Sequence, residues 1–80
     1  MGIQDLIGKK ITVAEITLHG NSHIELQYIG ELVVVDGNMI AVSITMTRGV
    51  AEFGGHQVVP PQLTWFNMMA STFTRITEVK

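Results

Sequence analysis

The sequence predicts an all-β domain: a small five-stranded antiparallel barrel of bent strands, preceded by a short N-terminal helix. Three observations predict it. Apolar residues recur at every second position in Ile24–Val34, apart from Gly30, and in Ile40–Met46, which is the period of a strand. The alternating segments are joined by connections too short for parallel crossovers. The longest segment, Ile24 to Asp36, carries Gly30 at its middle, where a missing side chain permits a sharp bend or a close backbone crossing.

Ile3, Leu6 and Ile7 fall at i, i+3 and i+4 and are followed by Gly8, so a helical turn or two opens the chain. So short a helix must pack on something. The first strand starts near Lys9 or Lys10. Ile11 and Val13 share one parity, whereas Ala14, Ile16 and Leu18 share the other, which predicts a β-bulge in mid-strand. His19-Gly20-Asn21-Ser22-His23 supplies turn chemistry. In the long second strand Ile24, Leu26, Tyr28, Leu32 and Val34 line one face, with Ile29, Val33 and Val35 on the other.

Asp36-Gly37-Asn38 is the clearest tight turn in the chain. Beyond it Ile40, Val42, Ile44 and Met46 alternate with Ala41, Ser43, Thr45 and Thr47, so the second and third strands form a hairpin. Arg48 to Gln57 reads as a loop or an irregular extension of that hairpin. Pro60-Pro61 bars a central strand there. Leu63 to Ala70 reads as the fourth strand, apolar on both parities, and Thr72 to Val79 as a short fifth.

Eighty residues make one domain, 1–80. Hydrophobic residues are 46% of the chain and charged ones 15%, more apolar than so small a monomer needs. No run is long enough to span a bilayer as a helix, and no signal-like segment is evident, so the expected home is intracellular, in the cytoplasm. Zero cysteines fit that and exclude thiolate metal sites. With five Lys and Arg against seven acidic residues and a formal charge of −2, the chain lacks the footprint of a strong nonspecific nucleic-acid binder. Lys9, Lys10, Arg48, Arg75 and Lys80 form no run and read as solvated charges, unless a ring gathers them on one face.

The pattern resembles the Sm and Sm-like (LSm) family, whose members have a short N-terminal helix and five strongly bent antiparallel strands. Gly30, Leu32 and Asp36 match the Gly-x-Leu-x-x-x-Asp of the first Sm motif, with Tyr28 at a hydrophobic position before it. Gly8-Lys9-Lys10-Ile11 resembles the family's entry into its first strand, and Ile76 and Val79 match the end of the second motif. The Met-Asn pair of the first motif falls at Met39-Ile40, or at Asn38-Met39 reversed, and the Arg-Gly of the second falls on Thr72-Phe73. Phe53-Gly54, Pro60-Pro61 and Phe66 resemble a decapping-associated Sm subclass, and divergence of this kind fits Sm-like proteins of bacterial or phage type.

The resemblance implies a homo-oligomeric ring binding single-stranded RNA through an altered pocket of Asp36, Asn38, Met39, Thr72 and Phe73. Asp36 and Asn38 have a plainer role as turn formers. Phe73 is the better base-stacking candidate. Trp65, Phe66, Met68, Met69 and Ile76 are candidates for the contact between copies, Trp65 and Phe66 through packing rather than stacking. A second reading is a structural or protein-interaction module that kept the barrel and lost the RNA site. A remote third is a small metal enzyme using His19, His23 and His56. The histidine pair flanks a turn instead of sharing a helix face, and no Cys or clustered carboxylate completes a site. No cofactor, small-molecule substrate, phosphate loop or nucleophile elbow is indicated, so an enzyme is not expected.

Overall fold

A computed structural model describes residues 2–49 and 56–79, together with every side chain in them except those of His19 and His56. Phe53, Gly54 and Lys80, singled out above, and residues 50–55 of the expected Arg48–Gln57 loop lie outside the described residues. One 3-10 turn, Ile3–Leu6, is followed by β1 (Lys10–His19), β2 (Ser22–Asp36), β3 (Met39–Arg48), β4 (His56–Asn67) and β5 (Phe73–Glu78). All pairings are antiparallel, in the order β4-β3-β2-β1-β5, so β4 and β5 are the outer strands of one sheet. The sheet is all-β in class but is not closed, since β4 and β5 do not pair. No helix among the described residues is long and apolar enough to cross a membrane.

The opening helix is a single 3-10 turn, tighter than the i, i+4 pattern implied. At three residues per turn Ile3 and Leu6 stack on one side and pack on the core, while Ile7 is left exposed. Gly8 N–H donates to the Leu32 carbonyl at 2.8 Å, and Leu32 N–H donates to the Lys9 carbonyl at 3.1 Å. These two bonds tie the turn to β2.

Gly20-Asn21 and Gly37-Asn38 are two-residue loops between His19–Ser22 and Asp36–Met39. Gly37 has φ 60° while Asn38 stays at negative φ, the pattern of a type II′ hairpin turn, which suits the twist of the flanking strands.

The sheet has four irregularities of register, one of them between β3 and β4 at Thr45, and the other three bear on the expected faces and bulge. Ile29 pairs with Met46 and Gly30 with Ile44, leaving Thr45 as an extra residue on β3. Leu32 pairs with Val42 and Val34 with Ala41, leaving Val33 as an extra residue on β2. That insertion reverses the alternation, so Val34 is exposed and Val35 packs on the core, opposite to strict parity. The third was expected within β1, but β1 pairs with β2 without interruption. The extra residue is Thr74 on β5, between the Ala14–Arg75 and Glu15–Phe73 pairs.

At the bend, Gly30 lets two strands approach too closely for a side chain. A β-carbon there would collide with the Ser43 carbonyl oxygen and stand 2.8 Å from Ile44 Cα. The bend folds the sheet over Ile11, Val13, Leu32, Ile40, Val42, Ile44 and Phe66, which form the core.

β4 begins and ends earlier than expected. It starts at His56, runs through both prolines, and stops at Asn67, so Met68 to Ala70 are turn and not strand. The prolines are tolerated because β4 is an edge.

Candidate functional site

Met39 follows the Gly37-Asn38 turn and pairs with Asn67, the last residue of β4. The Met68 N–H donates to the Asn38 carbonyl at 2.7 Å, and the Asn67 side-chain oxygen accepts from the Met69 N–H at 2.9 Å. The β2–β3 turn is therefore fastened to the start of the Met68–Thr72 connection. At its other end the Thr72 carbonyl accepts from the Ile16 N–H at 2.8 Å, which seats β5 on β1. Between them, Ala70 N–H to Asn67 and Phe73 N–H to Ala70, both 3.0 Å, make two consecutive turns.

This connection links the two halves of the expected pocket. Asp36, Asn38 and Met39 stand exposed at one end, and exposed Thr72 with half-buried Phe73 at the other. Among the described residues no side-chain hydrogen bond joins the two groups. Phe73 packs against the core, so part of its ring is committed to the fold.

The expected contact residues divide. Trp65 (49% exposed) and Met69 face outward, and Leu63 (55%) and Val58 (83%) join them along β4. Phe66 is 5% exposed and belongs to the core, its ring 5.4 Å from that of Tyr28. Met68 and Ile76 are half-buried against the same core. Ile29, expected on the uncovered face, is buried within the chain at 5% exposure. The surplus apolar surface thus lies on β4 more than on β2.

Two arrangements were not legible in the sequence. An open depression of about 400 Å³ lies at the bend, lined by Gly8, Lys10, Gly30, Glu31, Ser43, Thr45 and Pro61. Lys10 and Glu31 face each other in the ladder. The lining supplies one ammonium, one carboxylate and two hydroxyls, suited to a polar ligand. Gly30 was the only signal for it.

The second is an ionic bridge across β1. Arg75 on β5 reaches Glu25 on β2 with guanidinium-to-carboxylate distances of 2.6 and 3.3 Å, and Gln27 donates to the same carboxylate at 3.1 Å. Both Arg75 and Gln27 flank Ala14 in the ladder, and the small Ala14 is buried there. These hydrogen bonds, Arg75 first and Gln27 next, hold the Glu25 carboxyl below the usual glutamate range. Lys9 lies 3.8 Å from Glu78, so two of the cations weighed for nucleic-acid contact are partnered within the chain. Among the described residues no three His, Asp or Glu groups converge as metal ligands.

No family model, curated protein or solved structure matches the chain.

Proposed function

We propose that the chain is a divergent Sm-like protein that assembles into a homo-oligomeric ring in the cytoplasm and binds single-stranded RNA through a non-standard pocket. The observation that carries this reading is the pair of free outer strands on a sharply curled sheet. Among the described residues β4 and β5 each pair with a strand on one side only, and β4 adds exposed Leu63 and Trp65. Each subunit is then a barrel left open between β4 and β5. β4 of one copy pairs with β5 of the next, a head-to-tail contact that generates a ring when the rotation closes. Leu63 and Trp65 are about half exposed, so covering the remainder contributes roughly half of the ~1.5–3 kcal/mol that full burial of a large apolar side chain gives.

Asp36, Asn38, Met39, Thr72 and Phe73 form the RNA pocket in this reading. A half-exposed Phe73 offers a stacking surface worth about 1–3 kcal/mol per base. The pocket is non-standard because the family's Asn and Arg-Gly positions carry other residues. The partnering of Arg75 and Lys9 with carboxylates favours a second reading, a protein-interaction module without RNA.

Light scattering tests the assembly, and a protein monomeric at every concentration rejects it. Fluorescence anisotropy with U-rich and A-rich single strands across a salt series tests the ligand. Absence of binding at low salt rejects the RNA role, and a nuclease-insensitive protein partner supports the second reading.

A further inference from the structure

Pro60 and Pro61 lie inside β4. Successive residues of a strand aim their backbone N–H groups at opposite neighbours, so adjacent prolines delete one donor on the β3 side and one on the free side. The β3 side displays the consequence. Between the Ile44–Gln62 and Met46–Val58 pairs, Thr45 alone on β3 opposes Val59, Pro60 and Pro61 on β4. Downstream, Gln62–Asn67 pairs with β3 residue by residue.

The whole of β4, HQVVPPQLTWFN, contains no Asp, Glu, Lys or Arg. Soluble proteins guard open edges with charges, prolines or bulges. Here the guard is the two prolines and the irregularity around them, all at one point. The uninterrupted stretch beyond that point is six residues long, and β5, the other free edge, is also six residues long.

We propose that Pro60-Pro61 is a stop that confines strand addition on the free edge of β4 to Gln62–Asn67, a length matched to β5 of a second copy. The proposal rests on the association argued above and concerns its register. Without the stop, a twelve-residue uncharged edge would face a six-residue partner, and slipped pairings would compete.

The test uses light scattering and thioflavin T fluorescence on the full chain. The wild type is expected to give one discrete mass. Pro60→Thr/Pro61→Thr is expected to give a broad distribution of larger species with at least a five-fold rise in thioflavin T signal. Leu63→Lys is expected to raise the dissociation midpoint at least ten-fold, while Val58→Lys, upstream of the stop, changes it less than two-fold. Both side chains are exposed, so both lysine variants should fold. A discrete wild-type oligomer with an unaltered proline variant overturns the stop and leaves the association standing. A monomeric wild type removes the association itself, and the stop with it. If circular dichroism shows the proline variant unfolded, the two lysine variants decide: equal effects overturn the stop, and the ten-fold contrast supports it.

Discussion

The rings of Tyr28 and Phe66 stand 5.4 Å apart between centroids, inclined at 51°, although their strands are not neighbours in the sheet. Phe66 pairs with Ile40, which pairs with Val35, seven residues beyond Tyr28 on β2. On a flat sheet the two rings would be about 25 Å apart, from about 3.3 Å per residue along the strand and about 4.8 Å per ladder. The contact therefore measures how far the bend at Gly30 folds β2 and β4 over the core.

Truncating Phe66 to Ala should destabilise the fold by about 3–5 kcal/mol in urea denaturation. Tyr28→Ala should cost less, because Tyr28 is only half-buried. A double-mutant cycle should return a coupling of about 0.5–1.5 kcal/mol. Strict additivity of the two changes would contradict the contact.

Burial, with a smaller push from the Glu15 charge, raises the Tyr28 phenol above the ordinary tyrosine value. The unfolded chain therefore ionises first as pH rises. The contribution is whole below the unfolded tyrosine pKa and declines between that value and the higher folded one. Tyr28→Phe should flatten the alkaline limb of a stability–pH profile, and an unchanged limb would refute the assignment.

Glu25 has the opposite sign. Its carboxyl is lowered in the fold, so the stabilisation is present above the unfolded glutamate pKa and is lost as pH falls through the folded value. Because the pair is exposed, added salt should weaken the effect. Glu25→Gln should shrink the acid-side loss of stability, and NMR titration should place the wild-type carboxyl below ordinary glutamate. A carboxyl titrating at or above the ordinary value would remove the bridge from the account.

Gly30→Val should lower the melting temperature or prevent folding, since its β-carbon meets the Ser43 and Ile44 backbone, which cannot swing aside as a side chain could. Overpacking of this kind costs about 1–3 kcal/mol or more. An unaltered thermal transition would show that the strands do not cross so closely.

On the proposed ring and RNA reading, Phe73→Ala should weaken binding of a single-stranded oligonucleotide by about 1–3 kcal/mol and leave the mass of the assembly unchanged. Anisotropy and light scattering on one sample separate the outcomes. Dissociation of the assembly would reassign Phe73 to the contact between copies.

The sequence by itself determined the number of strands, their antiparallel sense, the Gly37-Asn38 hairpin and the bend at Gly30. Those depend on local matters: alternation, the positive φ a glycine accepts, and connections too short for a crossover. Tertiary structure alone decided which side of several strands faces in. Strict alternation put Val34 inside, but the unpaired Val33 turned it out and brought Val35 in. Ile7 was left outside by a three-residue turn, and Phe66 went into the core because Tyr28 was folded over it. Pro60-Pro61 could stay within a strand because that strand lies at the edge. Each of these outcomes depends on a partner far along the chain, and one unpaired residue reverses every face beyond it.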